Sequence, residues 1–125
     1  PNFVNWLQQR VHWDIGIIPL TDDRFNRSKS NLKFLEYAAL DMAIACSDVE
    51  SYRNIGRHET NALMVANETG AWCEAVGRLI DDPGLRQELA RRARSEVRAR
   101  WCIDGNFIDR LPRPASAGLP SAPIV

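Results

Sequence analysis

Residues 30–40 read SNLKFLEYAAL, and residues 42–46 continue with the apolar run MAIAC. The spacing of the apolar side chains predicts a helix over about 28–40 whose inward stripe is Leu32, Leu35 and Ala39. The run that follows is short and uninterrupted, which is typical of a strand buried on both faces of a parallel sheet. A helix that leads directly into such a strand favours an α/β fold.

The start of this helix has features of a phosphate site. Free backbone N–H groups and a partial positive charge lie at a helix amino end. Lys29 and Lys33 are four residues apart and would share one helix face, with Glu36 three residues further on. Like charges at this spacing repel, and a bound anion would remove that repulsion. These residues therefore predict a site for the phosphates of a nucleotide sugar.

Two further apolar runs, within 13–20 and at 62–65, predict two more strands. Asp82 fits the N-cap and Pro83 the first position of a last helix, which follows a helix that begins near Thr69. The predicted stripes of these helices are Trp72, Val76, Leu79 and Ile80, then Leu85, Leu89, Ala93, Val97 and Trp101. Alternating strands and helices predict an α/β fold, a partial doubly wound Rossmann-like parallel sheet of about three to four strands.

The composition excludes several functional classes. The chain has 125 residues, enough for one domain, which we assign to 1–109, with a Pro- and Ala-rich tail over 110–125 that is predicted to be disordered. The net charge of zero gives no field that attracts nucleic acid. No run approaches the roughly 20 apolar residues of a membrane span. The cysteines lack paired spacing and are predicted to be buried, reduced thiols, and no metal site is expected.

Five segments together resemble one known family. They are DIGIIPL at 14–20, KSNLKFLEYAAL at 29–40, AIACSD at 43–48, NALMV at 61–65 and LIDDPGLR at 79–86. In this order and spacing they are similar to the carboxyl-terminal, donor-binding domain of retaining family 4 glycosyltransferases of the GT-B fold. The resemblance covers about residues 12–103 and implies transfer of a sugar from a nucleotide-diphosphate sugar to an acceptor hydroxyl, with no cofactor and no obligatory metal.

The resemblance also implies roles for particular residues. The matching helix start would hold the diphosphate, and Lys29 and Lys33 would be the catalytic groups that stabilise the leaving diphosphate. Glu36 would bind the ribose hydroxyls. Ser28 stands where the family often has a second glutamate, and Asp41 stands where a glycine usually relieves a left-handed turn. The substrate-binding candidates are Ser28, Ser30, Asn31, Leu32, Glu36, Pro19 and Leu20.

Each candidate also has a structural interpretation that the sequence leaves open. Lys33 and Glu36 can form an ion pair three residues apart. The polar residues at 28, 30 and 31 suit an N-cap or a turn, which is compatible with phosphate binding through backbone N–H groups. Pro19 and Leu20 end a strand, where α/β sheets place ligands, although strand termination alone explains them equally well.

The resemblance implies a larger enzyme in which an N-terminal acceptor domain, missing here, completes the site. The chain alone is therefore expected to be inactive, and the enzyme to be cytoplasmic and to act, in bacteria, in polysaccharide synthesis. The alternative is a non-catalytic nucleotide-binding or scaffold domain that degenerated from a glycosyltransferase. Missing strands would expose a sheet edge, for which a homodimer is one remedy.

Arginines crowd the last predicted helix. Glu88 and Glu96 balance them only in part. A solvated helix face explains the pattern, and weak peripheral contact with anionic lipid at the inner face of the membrane is the alternative. The arginines concerned are Arg86, Arg91, Arg92, Arg94, Arg98 and Arg100.

Overall fold

The computed structural model describes residues 12–101, together with Trp6, Gln9 and Arg10. Three strands alternate with helices, and a 3-10 turn at Asn26–Ser28 precedes the first helix. The elements are β1 (Ile15–Ile18), α1 (Leu32–Ala39), β2 (Ala43–Ser47), α2 (Glu50–Arg53), β3 (Leu63–Val65), α3 (Thr69–Asp81) and α4 (Pro83–Arg100). The predicted tail over 110–125 lies outside the described residues.

The three strands form one parallel sheet in the order β1-β2-β3. Ile15 pairs with Ala43, and Ala45 pairs with Leu63. All five residues of β2 are buried, because this central strand has neighbours on both edges and helices on both faces. The predicted Rossmann-like α/β fold is confirmed.

Alternate residues of β2 contribute to two separate cores. Ile44 and Cys46 face the cluster that contains α1 and α2, whereas Ala43 and Ala45 face the cluster that contains α3. Helix α4 supplies side chains to both clusters and thereby joins the two faces. These side chains are Ala93 and Val97 for the first cluster and Leu89 and Ala90 for the second.

Helix α1 differs from its prediction in start and in stripe. It begins at Leu32 rather than near 28, and Leu32 is 55% exposed while Phe34 and Ala38 are fully buried. The side of α1 that faces the core therefore carries residues 34, 35 and 38 instead of 32, 35 and 39. Both sets fit the helical period equally well, so only packing against the sheet decides which set is buried. Tyr37 lies against Gly16 of β1 so closely that a Cβ at that glycine would collide with its ring.

The turn from α1 into β2 has the left-handed backbone that the resemblance implied. Asp41 has φ of 60°, a conformation that costs a residue with a side chain more than it costs glycine. Its carboxylate forms an ion pair with Arg94 of α4. Asp41 therefore joins the turn to the long helix, which a glycine could not do.

The α3–α4 joint confirms one prediction and corrects another. Asp82 accepts a hydrogen bond from the Leu85 backbone N–H at 2.9 Å and Pro83 occupies the first helical position, as predicted. In α3 the buried residues are Ala75 and Leu79, whereas Ile80 is exposed, so the predicted stripe is wrong at Ile80. In the described part of the chain, no helix is both long enough and apolar enough to span a bilayer.

Candidate functional site

The candidate site lies at the edge of the sheet where the three parallel strands end. The β1–α1 loop, the end of β2 and the residues after β3 meet at this carboxyl edge. A helix that follows a parallel strand begins at the same edge, so the amino end of α1 belongs there too. Ligands of open α/β sheets bind at this edge.

Two hydrogen bonds at this edge hold the backbone of Leu20, and a third joins the two side chains that make them. The Leu20 N–H donates to Ser47 Oγ at 2.8 Å, and the Asn67 Nδ2 donates to the Leu20 carbonyl at 2.8 Å. The Ser47 hydroxyl in turn donates to Asn67 Oδ1 at 2.6 Å. We call Leu20, Ser47 and Asn67 the Leu20 clamp. It fixes where the chain leaves β1, next to exposed Pro19.

Polar contacts also order the loop that follows Leu20. The Asp23 carboxylate accepts from the backbone N–H of Asn26 at 2.8 Å and from the Thr21 hydroxyl at 2.9 Å, and these bonds lower the pKa of Asp23. The Ser51 hydroxyl of α2 donates to the Asn26 carbonyl at 2.8 Å. The loop is thus tied to the element that follows β2 before it reaches α1.

The amino end of α1 is open. Asn31 is its N-cap but makes no capping hydrogen bond, and its Nδ2 instead donates to Asn54 Oδ1 over a long 3.5 Å. Among the described residues, no protein acceptor pairs with the backbone N–H groups of Leu32 and Lys33. An uncapped helix start of this kind presents N–H donors and a partial positive charge.

The two lysines do not lie on one helix face, and that prediction is wrong. Lys29 precedes α1 in extended backbone, because residues 26–28 form a separate 3-10 turn. Its ammonium lies 5.1 Å from the centre of the exposed Phe25 ring. Lys33 is in the first turn of α1, and its Nζ lies 3.2 Å from Glu36 Oε2, so the ion pair that the sequence left open is present.

The serines near this helix start have separate places. Ser28 belongs to the 3-10 turn, and its hydroxyl donates to the Phe25 carbonyl at 2.6 Å, so it does not cap α1. Ser30 is exposed in the connection between the turn and the helix. Neither serine side chain closes the amino end of α1. The roles assigned to these residues stay predictions.

Sequence reasoning missed Asn67, Asn26 and Ser51. Asn67 was detectable in principle, because it is a polar residue two positions after a strand end, where ligand-edge residues are expected. Asn26 and Ser51 carry no such signal, since their bond joins residues 25 positions apart in the chain. Ser47, which belongs to the segment AIACSD at 43–48, ends β2, is fully buried and acts in the clamp.

Of the three cysteines, Cys46 and Cys73 belong to the described residues, and Cys102 lies outside them. Cys46 is buried, and burial raises the pKa of its thiol to about 12. Cys73 is exposed, so the prediction of a buried thiol is wrong there, because it lies on the outer side of α3. Within residues 12–101, no group of three His, Cys, Asp or Glu side chains is arranged to hold a metal ion.

Comparisons with known proteins give a family and a solved structure of similar fold. A family model described as "Glycosyl transferase-like" matches residues 8–107. Among solved structures, the chain is similar to the 1.35 Å crystal structure of the C-terminal domain of a glycosyl transferase group 1 family protein (LpcC) from Francisella tularensis, with a TM-score of 0.58 and 19% identity. The match covers 70% of this chain and 44% of that one, so this chain spans less than half of its neighbour. No curated protein matches.

Proposed function

We propose that this chain, which belongs to the glycosyl transferase-like family, forms part of the donor-binding domain of a glycosyltransferase. In the proposed reaction, a sugar moves from a nucleotide-diphosphate sugar to an acceptor hydroxyl with retention of its anomeric configuration, as in family 4 enzymes. The donor is the substrate, and the reaction needs neither a cofactor nor an obligatory metal.

One observation carries the proposal: the open amino end of α1 at the carboxyl edge of the sheet. The N–H groups of Leu32 and Lys33 lack protein acceptors among the described residues, and Asn31 does not cap them. A diphosphate would supply oxygen acceptors for these donors and would sit at the positive end of the helix. The same edge carries the Leu20 clamp, which gives the nucleotide a fixed wall beside Pro19.

The leaving nucleoside diphosphate gains negative charge as the glycosidic bond breaks. Backbone N–H groups of α1 and the ammonium of Lys33 would stabilise that charge, with Lys29 as a second cation brought from the preceding loop. Neither lysine is committed to a strong internal partner. The Lys33 side chain is 63% exposed and the Glu36 side chain 26%, and ion pairs at the surface contribute about 0–1 kcal/mol. Glu36 can therefore turn to the ribose hydroxyls when the donor is bound.

Transfer would require an acceptor domain in addition to this chain. The chain covers 44% of its structural neighbour, which is itself a C-terminal domain. We therefore propose that the chain binds the donor nucleotide, and that the complete enzyme contributes the acceptor site.

Calorimetric titration of the 125-residue chain with UDP and GDP tests the proposal. We expect one of the two nucleotides to bind. Lys29→Ala combined with Lys33→Ala should weaken that binding about tenfold or more, because each substitution removes a charge-assisted contact to the diphosphate. Thermal stability should change little, because both side chains are exposed. Arg92→Ala is the matched control, since it removes a cation from α4 and should leave nucleotide affinity unchanged.

Two results would redirect the proposal. Equal affinity of the double variant and the unchanged chain would contradict the assigned site. No binding of either nucleotide at millimolar concentration would favour the alternative, a scaffold domain that has lost donor binding. That alternative is consistent with Ser28 in place of the family's second glutamate.

A further inference from the structure

An open groove of about 960 Å³ runs along the outer side of α4. Arg91, Arg94 and Arg98 line it and follow one another at steps of three and four residues, so they form one stripe over about 10 Å of helix. Asp41 lines it from the α1–β2 turn. We call this surface the arginine groove. The remaining lining residues are small or uncharged: Gln87, Ala90, Ser95 and Ala99.

The arginine groove keeps an excess of positive charge after its ion pairs are counted. Its lining has three guanidinium groups and one carboxylate, that of Asp41, which pairs with Arg94. Arg91 forms an ion pair with Glu88 at 2.9 Å, but the same carboxylate also pairs with Arg92 at 2.6 Å, so one negative charge is shared by two guanidinium groups. Arg98 has no ion pair within the described part of the chain. Its guanidinium is thus available for an external anion.

An apolar anchor lies at the end of the same stripe. Trp101 follows Arg98 by three residues and is 39% exposed, although its spacing from Val97 predicted an inward position. It lies at the C-cap of α4, where the helix ends and the side chain can leave the core. Tryptophan is favoured where one side of a surface is apolar and the other is wet, as at the headgroup level of a bilayer.

The charge of the chain and of the groove favours an anionic surface over nucleic acid as the partner. Proteins that bind nucleic acid usually carry a net basic domain, whereas this chain has a formal net charge of zero and a pI near 7.2. A local excess of charge acts only within about 8 Å at physiological ionic strength, and is therefore effective on a surface in contact. Guanidinium groups bind phosphate oxygens in a bidentate manner.

We infer that the arginine groove and Trp101 dock this chain on a bilayer that contains anionic phospholipid. The headgroup phosphates would lie in the groove and bind Arg98 and Arg91, while the Trp101 ring enters the interface beside them. Helix α4 would lie along the surface, because its opposite side is buried against the sheet by Leu89 and Val97. This inference does not depend on sugar transfer.

Sedimentation with vesicles tests the inference on the complete 125-residue chain. We expect binding to vesicles of phosphatidylcholine mixed with phosphatidylglycerol, little binding to phosphatidylcholine alone, and weaker binding as salt is raised. Arg98→Gln should weaken the partition about fivefold, since each basic residue near an anionic surface contributes about 1 kcal/mol. Trp101→Ala should also lower it. Arg98→Lys keeps the charge and should remain close to the unchanged chain.

The matched control is Arg100→Gln, which removes the same charge from the same helix at a position outside the groove and whose ion-pair partner, Glu96, also lies outside it. Equal weakening by Arg100→Gln and Arg98→Gln would reduce the effect to bulk charge and overturn the groove assignment. Equal binding to neutral and anionic vesicles would overturn the role of the arginines. Release of the bound chain by millimolar inorganic phosphate at constant ionic strength would identify a site for a soluble anion instead of a lipid surface.

Discussion

The helix that begins at the amino edge of the sheet has a side-chain cap, whereas α1 and α3, which begin at the carboxyl edge, have none. At the amino edge, where α4 begins, the Asp82 carboxylate caps the helix and Pro83 removes an N–H that would need a partner. The nearby turn is closed by the ion pair of Asp41 with Arg94. At the carboxyl edge, neither α1 nor α3 has a side-chain cap. The polar side chains there hold loop backbone instead.

Under the proposed function, this difference separates a helix start that serves stability from one that would bind a ligand. Orphan N–H groups are normally satisfied by capping side chains, water or ligands. In α4, the Asp82 carboxylate accepts a hydrogen bond from one of these groups, the N–H of Leu85. Asn31 stands in the equivalent position of α1 and points its amide at Asn54 instead. The α1 start thus lacks the stabilisation of a side-chain cap, and it lies at the edge where open α/β sheets bind ligands.

The largest loss of stability is expected from Ser47→Ala. The change removes the acceptor of the Leu20 N–H and the donor to Asn67 from a fully buried position, which should cost about 1–3 kcal/mol of unfolding free energy. Urea unfolding followed by circular dichroism measures it. Ser95→Ala, at an exposed position of α4, is the control and should cost almost nothing. Equal losses in both variants would show that the clamp contributes no stability at this edge.

A smaller loss is expected at the other edge. Asp82→Ala removes the cap of α4 and should destabilise the fold by about 1 kcal/mol, while leaving nucleotide affinity unchanged. Asp81→Ala is the matched control, because its carboxylate is exposed at the end of α3, where a negative charge opposes the helix dipole. Thermal unfolding and nucleotide titration of both variants check this. A loss of nucleotide binding in Asp82→Ala would contradict the separation of the two edges.

The same contrast explains which parts of the fold the sequence could predict. The start of α4 was predicted to the residue, because Asp82 and Pro83 carry their signal locally. The start of α1 was placed four residues early. Residues 26–28 form their own turn, held by Asp23 and by Ser51 of α2. A contact across 25 residues leaves no local pattern, so the boundary was set by tertiary structure.

The candidate site was predictable to a similar extent. Leu20 is a predicted candidate because strand ends are visible in the sequence, and the structure joins it to Ser47 in one clamp. Asn67 was missed, since its partner Leu20 is 47 residues away. The shared helix face of Lys29 and Lys33 was wrong, because it assumed that the helix already existed at Lys29. Their roles toward phosphate stay predictions.

The smallest change in stability, and the sharpest test of the comparison, is expected from Asn31→Asp. An aspartate at the N-cap of α1 would favour the helix dipole, but Asn31 is buried and a carboxylate there loses hydration, so the free energy of unfolding should change by only a few tenths of a kcal/mol in either direction. The same carboxylate would occupy the diphosphate position and repel it, so the nucleotide that binds the unchanged chain should bind at least about tenfold more weakly. Titration calorimetry and urea unfolding measure the two effects.

Gln87→Glu is the control for Asn31→Asp, because it adds the same negative charge on α4 and should leave nucleotide affinity unchanged. A loss of affinity with little change in stability in Asn31→Asp alone would mean that the start of α1 is where the diphosphate binds. Unchanged affinity in Asn31→Asp would place the diphosphate elsewhere along the carboxyl edge. The uncapped start of α3 beside Asn67 would then be the next position to close, since it is the other described helix of more than one turn that begins there without a side-chain cap.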